Sequence, residues 1–381
     1  MKVSLTDICD FQGGTQPPKD EWIDQPAQGY VRMLQIRDFT QSDKNYIEYV
    51  KDTGKLKTCI EDDILIGRYG ASIGKILTGL AGAYNVAIVK TIPDEKVVSK
   101  KYLYWYLNSQ YFQRFISNVG SRAAQAGFNK NDLGAAQIPL VDKERQEEIC
   151  EVLEKANKLI SLRKQQLAKL DELIKARFVE MFGTFPANPF RWDTGKIQDV
   201  VSDVRYGSSR PAVEGGKYPY LRMNNITYSG ELDLRDTKRI DIPDSELDKC
   251  TVRRGDVLFN RTNSKELVGK TCVYNRDELM VLAGFVIRVR INERIRPEVL
   301  SAFLNMDFSK RMLIGMCKTA IGQANINAKE LQNIDLYIPP IELQDQFVAL
   351  KNEIDQQKQT VQQSLEKLEL MKKALMQEYF G

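Results

Sequence analysis

The chain has 381 residues, 43% hydrophobic and 28% charged, with 55 basic and 51 acidic side chains and a formal net charge of +4. That composition fits a soluble globular protein of two or three domains, and the lack of any apolar run of ~18 residues excludes a membrane span. Histidine is absent, which removes Ser-His-Asp and Cys-His catalysis, His-ligated zinc and the commonest general base.

No two glycines lie two apart, so there is no G-x-G-x-x-G turn for a dinucleotide and no kinase glycine loop. Cys9, Cys59, Cys150, Cys250, Cys272 and Cys317 are scattered without a C-x-x-C pair, as in a reduced, cytoplasmic protein that binds no metal. The N-terminus MKVSLTDICDF lacks the apolar stretch of a signal peptide. The small positive excess sits in two stretches: residues 1–137 hold 17 basic against 15 acidic side chains, and residues 184–337 hold 24 against 20.

In chain order, the first stretch opens with the loop GGTQPPKD (13–20). DDILIGRYG then reads as an acidic turn, a short apolar strand and a loop bearing arginine, and AYNVAIVKTI (83–92) reads as a strand. YLYWYLNSQYFQRFI (102–116) reads as helical. Residues 138–183 open with Ile-Pro, continue as a charged amphipathic helix and stop at Phe182-Gly183. The plan then repeats. GDVLFNRT, GFVIRVRI and VLSAFLNMDFSKRML (299–313) follow in the same order within 184–337, and residues 338–381 run from Ile-Pro to Phe380-Gly381. The segments YVRMLQIRDF (30–39) and YPYLRMNNIT (218–227) occupy like places, as do SRAAQAGFNKNDLGAAQIPL (121–140) and KTAIGQANINAKELQNIDLYIPP (318–340). The expected fold class is α+β. Two mixed heads, 1–137 and 184–337, alternate with two helical rods, 138–183 and 338–381, in a pseudo-twofold repeat.

The first rod carries Ile149, Leu153, Ala156, Ile160, Arg163, Leu167, Leu170, Ile174, Arg177 and Met181 in steps of four and three, a heptad seam with two breaks. The second repeats Phe347, Ile354, Val361, Leu368 and Leu375 every seven, with Leu350, Leu365, Met371 and Tyr379 on the other edge. A helix of ~39 residues spans ~58 Å, more than one small head can cover. An antiparallel coiled coil of the two rods is expected, with the heads at opposite ends; separate docking of each rod on another protein is the alternative. The faces away from the seam, Phe178 included, are expected to receive partner helices.

Several short matches fail on chemistry. Asp52-Thr53-Gly54 and Asp193-Thr194-Gly195 resemble protease triplets but sit at unlike places in the repeat and precede lysine. Ser264 to Thr271 lacks the first glycine of a phosphate loop, and Ser72-Ile73-Gly74-Lys75 has no S-D-N companion. Asn188-Pro189-Phe190 is one proline short of an adenine methyltransferase motif.

The loops instead carry the side chains that read base edges. The first head offers Thr15, Gln16, Arg32, Gln35, Arg37, Arg68, Tyr69, Ser72, Lys75, Arg122 and Gln125. The second offers Ser208, Ser209, Arg210, Arg222, Asn224, Asn225, Asn260, Arg261, Thr262, Asn263, Lys270 and Gln323. Arg and Lys match the two acceptors of guanine, and Asn and Gln match the donor-acceptor pair of adenine. Lysines and hydroxyls suit phosphates.

The duplicated head-plus-helix plan, the paired Ile-Pro and Phe-Gly marks and the D-[IV]-L-x-x-R segments at 63–68 and 256–261 closely resemble the specificity (S) subunit of a Type I restriction–modification system. A weaker mark is a turn at each rod start, Glu144-Arg145-Gln146 and Gln344-Asp345-Gln346. The resemblance covers essentially the whole chain. It implies two target recognition domains, each reading half of a split site in double-stranded DNA, with the rods as spacer. It also implies a chain with no active site and no cofactor of its own. Two methyltransferase (M) subunits would bring S-adenosylmethionine, and two restriction (R) subunits would bring ATP and Mg. The readings that stay open beside it are a scaffold with two protein-binding heads and a self-contained enzyme.

Overall fold

The computed structural model describes residues 1–41, 47–122, 127–317 and 324–381, the side chains of residues 120–122 excepted. It divides into two compact units, residues 1–164 with 363–381, and residues 165–362. Each unit holds one head and a part of each long helix. The fold is α+β.

Each head is built on an antiparallel four-stranded sheet. In the first the order is Cys9–Gly13, Ile88–Pro93, Leu65–Gly67, Ile76–Leu77; in the second it is Val201–Tyr206, Val286–Ile291, Val257–Asn260, Thr271–Val273. A second sheet in each head contains one parallel pair, Tyr30–Leu34 beside Gly82–Tyr84 and Tyr218–Leu221 beside Met280–Leu282. The predicted strand 83–92 is therefore two strands in two sheets. Asn85 causes the break, because its side-chain Oδ1 accepts the Ala87 N–H at 3.1 Å and bends the chain there. The predicted helix 102–116 is also two, Lys100–Leu107 and Gln110–Arg122. Ser109 Oγ accepts the Phe112 N–H at 3.2 Å and starts the second.

The two long helices, Lys143–Phe182 and Ile341–Phe380, are 40 residues each. Asp142 caps the start of the first by accepting the Arg145 N–H at 2.8 Å. Gly183 ends it at φ +85°, a left-handed position that favours glycine. The helices pack antiparallel in both units. In the first unit Lys372 reaches Asn157 at 2.8 Å and Lys164 reaches Glu369 at 3.0 Å; in the second Lys358 reaches Asp171 at 2.5 Å, and Phe347 meets Phe178 at 5.6 Å.

The seam is buried at Ile149, Leu153, Ala156, Ile160, Phe347, Ile354, Val361 and Leu365, whereas Met371 is 45% exposed. Phe178 corrects the expectation that it faces outward. It is fully buried, and its ring packs in a triangle with those of Phe182 and Phe347. A straight helix drifts from a 3.5-residue repeat. By its last turns the buried stripe has moved from Arg177, which is exposed, to Phe178 and Phe182. Head helix residues Val299, Leu300 and Phe303 belong to the same core.

The repeat is tightest where the sequence marks it least. Gln146 Nε2 donates to the Val97 and Val141 carbonyls and its Oε1 accepts the Ser99 N–H; Gln344 does the same with Arg294, Pro339 and Arg296. Both glutamines are fully buried. Gln146 thus matches Gln344, two residues out of step with an alignment on Ile-Pro, because three residues, 140–142, separate Ile138-Pro139 from the first long helix and only Pro340 separates Ile338-Pro339 from the second. The alignment of the turn 144–146 on 344–346 is corrected accordingly. No helix among the described residues is long and apolar enough to cross a membrane.

Candidate nucleic-acid interface

One end of the main sheet is built alike in both heads. The first strand leaves it through Gly14 in one head and Gly207 in the other. A Cβ on Gly14 would meet the Asn85 carbonyl oxygen at 2.1 Å, and one on Gly207 would meet that of Leu282 at 2.1 Å, so only glycine passes. The next residue then donates across: Thr15 N–H to Tyr84 O at 3.0 Å, Ser208 N–H to Leu282 O at 2.7 Å.

Beside this crossing stands an arginine. The Arg68 N–H donates to Ala87 O at 2.8 Å and the Arg261 N–H to Phe285 O at 3.0 Å. The Arg68 side chain donates through Nε to Phe128 O at 2.9 Å and lies 5.0 Å from the Tyr69 ring. Arg261 lies 4.9 Å from the Tyr206 ring, with Nη1 3.4 Å from Gly284 O; its buried Nε has no hydrogen-bond partner among the described residues. Each head therefore presents a guanidinium stacked on a ring and braced by a carbonyl, a pre-set geometry for paired acceptors. Tyr69, Tyr206, Val86 and Phe285 are 41%, 44%, 40% and 52% exposed. The last three were not among the sequence candidates. Val86 and Phe285 looked like strand residues, and only the turns at 85–87 and 283–285 expose them.

The other candidates divide by burial. Gln16, Lys75, Ser209, Arg210 and Asn224 are exposed, and Thr15, Ser72 and Asn263 are half-buried. Arg210 is held by Glu246 at 2.6 Å and Arg222 by Asp236 at 2.9 Å. In the first head Gln35 and Arg37 both donate to Glu48, and Arg32 to Asp38 at 3.4 Å. Five candidates from the second head lie in the interior: Ser208, Asn225, Asn260, Thr262 and Lys270. Asn225 Nδ2 donates to Asp233 O at 2.8 Å, Thr262 Oγ1 to Asn325 Oδ1 at 2.9 Å, and Lys270 Nζ to Met223 O and Ile226 O at 3.0 and 2.6 Å. Asn260 Nδ2 donates to Thr262 O at 3.2 Å, and Ser208 Oγ accepts the Arg210 N–H at 3.2 Å. These buried polar groups find their partners within the head and brace its loops. The Arg122 side chain, Gln125 and Gln323 lie outside the described residues.

None of the buried thiols is poised as a nucleophile. Burial pushes Cys9 and Cys272 up to about 12 and Cys150 up to about 11, so each stays a thiol at neutral pH.

The type I restriction modification DNA specificity domain matches residues 1–172 and again residues 189–370. The chain is similar to the type I restriction enzyme MjaVIII specificity subunit of Methanocaldococcus jannaschii, 24% identical over 98% of this chain and 90% of that one. It is also similar to the EcoKI specificity subunit of Escherichia coli (strain K12), 21% identical over 69% of this chain and 60% of that one. It spans about half the length, 46%, of a further M. jannaschii relative at 26% identity. Two solved structures share the fold. A chain from work on complex assembly and conformational transition of the type I R-M system has a TM-score of 0.60 at 17% identity, with 100% and 97% of the two chains covered. The type I restriction-modification S subunit from M. genitalium has a TM-score of 0.54 at 15% identity, with 100% and 96% covered. With the domain matched twice over most of its length, the chain belongs to the type I restriction-modification DNA specificity (S) subunit family, whose members are not themselves catalytic.

Proposed function

We propose that this chain reads a two-part site in double-stranded DNA, one half with each head, and that the paired helices set the gap between the halves. The observation that carries the reading is the doubled arginine site. Arg68 and Arg261 are held by the same backbone bond beside the same glycine crossing, while the surrounding side chains differ. One scaffold with two sets of edges suits two unlike half-sites.

The chain supplies recognition only. Two methyltransferase subunits, carrying S-adenosylmethionine, dock on the long helices, and two restriction subunits bring ATP and Mg. The outward residues Val152, Leu159 and Leu162, 39%, 45% and 49% exposed, recur at steps of seven and three on the first long helix and suit a partner helix. The test is binding of the chain, purified with its cognate methyltransferase, to duplex DNA across a salt series. Phosphate contacts release counterions, so affinity is expected to fall with a slope of about −0.9 per contact. Salt-independent or absent DNA binding would favour a protein scaffold instead.

A further inference from the structure

The second head meets its helices at a root, with polar contacts at its edge (Gln344 to Arg294 and Arg296, Lys175 to Asp307 at 2.6 Å), and again farther along them. The root is apolar: Phe178, Phe182 and Phe347 share one core with Val299, Leu300 and Phe303 of the head. The farther place is a single buried cation. Lys358, on the second long helix, donates to Asp171 of the first at 2.5 Å and also to Glu231 of the head. Its side chain is only 10% exposed. Burial works against its charge, yet the two carboxylates outweigh it and hold the ammonium above its ordinary pKa.

The segment that delivers Glu231 is built for this contact. The Thr227 N–H donates to Glu231 O, and the Glu231 N–H returns to Thr227 Oγ1, both at 2.9 Å. Gly230 at the tip has φ +86°, and a Cβ there would meet Asn305 Nδ2 at 2.5 Å and Thr271 O at 2.8 Å, so the hairpin seats against helix Pro297–Asn305 only with glycine. Asp171 stands seven residues from Phe178, and Lys358 eleven from Phe347. At 1.5 Å per residue the cation lies ~10–16 Å along the helices from the apolar root. Contacts gathered near the root leave a hinge; an attachment farther along the helices fixes an angle. In the first unit Ile160 occupies the place that Lys358 takes in the repeat, and an isoleucine cannot make this bridge.

We propose that Lys358 is a positioning residue for spacing: by tying the Glu231 hairpin to both long helices it fixes the second head's angle, and so the single gap between half-sites that the protein accepts. The inference rests on the two-part reading proposed above.

The test expresses the full chain with its cognate methyltransferase and maps methylated adenines across the host chromosome. Lys358→Met and Glu231→Ala each remove the bridge, the second without touching a helix. Both are expected to methylate, besides the wild-type sites, sites whose gap is one base pair (~3.4 Å) shorter or longer. Such sites should rise about tenfold over wild type, the change that ~1.4 kcal/mol of lost discrimination gives. The half-site sequences should stay the same. Lys358→Arg, still able to span two carboxylates, should restore one gap. If Lys358→Met is too unstable to recover, Glu231→Ala decides. A single unchanged gap in Glu231→Ala, or a uniform loss of methylation without new gaps, overturns the proposal. A wild-type chain that marks uninterrupted sites is the separate failure of the two-part reading.

Discussion

Phe178 offers the sharpest test of how the helices are packed. Its ring is fully buried, 5.0 Å from Phe182 and 5.6 Å from Phe347, with both pairs edge-on. Truncation to alanine removes ~150 Å² or more of apolar contact. At ~25 cal/mol per Å² that is ~4 kcal/mol, to which two ring contacts add ~0.5–1.5 kcal/mol each. Collapse of the surroundings returns part of this, so ~3–5 kcal/mol is expected, the range for buried phenylalanines. For a unit of ~200 residues each kcal/mol moves the midpoint by ~2–4 °C, so the transition of residues 165–362 should fall by ~6–20 °C. Differential scanning calorimetry of the full chain reads this directly. Phe178→Leu keeps most of the volume and should cost less than half as much. If Phe178→Ala melts within ~1 °C of wild type, the ring is not part of this core. Weakened methyltransferase binding at unchanged stability would place it on the outer face instead.

The buried glutamines should be nearly as costly. Gln344→Leu leaves the Arg296 N–H and the Arg294 and Pro339 carbonyls without their partner. A loss of ~3 kcal/mol in urea unfolding is expected, and a change under ~0.5 kcal/mol would contradict the assignment. Arg261→Ala is expected to blur only the half-site read by the second head, by ~1–3 kcal/mol in competition binding; equal weakening on all duplexes would assign Arg261 to phosphates. Lys310 gives a pH signature. Burial, with Lys270 nearby, pushes its pKa down to about 7, and its Nζ donates to Gly269 O at 2.6 Å with no carboxylate partner among the described residues. The unfolded chain, with lysine near ~10.4, then binds a proton that the folded chain lacks between about pH 7 and pH 10. This group's contribution therefore makes stability rise with pH across that window. Lys310→Met should flatten the rise between pH ~7 and ~9 in urea unfolding, and an unchanged slope would refute it.

Much of this architecture is legible in the sequence, because it rests on long periodic signals. The rods show themselves by heptads without Pro or Gly, and the heads by the repeated Asp-apolar-Leu-x-x-Arg strand, whose arginines do stand at matched places. What the sequence hides is register and facing. Ile-Pro recurs at both rod starts, but the residues that hold the starts are Gln146 and Gln344, two steps out of that alignment. A polar residue at a helix start reads as solvated until the backbone groups around it are seen. The candidate readers show the same limit. Asn260 and Lys270 have the chemistry of base contacts, yet their amide and ammonium groups satisfy loop backbone in the interior. Phe285 and Val86 read as strand core and stand instead on turns beside the arginines. Burial depends on where neighbouring segments cross, and no local pattern in this chain encodes that.

The most direct measurement is the adenine methylome of cells carrying this chain with its cognate methyltransferase, compared with cells lacking the chain. The expected result is methylation within a motif of two short specified halves separated by an unspecified gap of constant length, lost when the chain is removed. Methylation of an uninterrupted motif, or methylation that persists without the chain, would contradict the account.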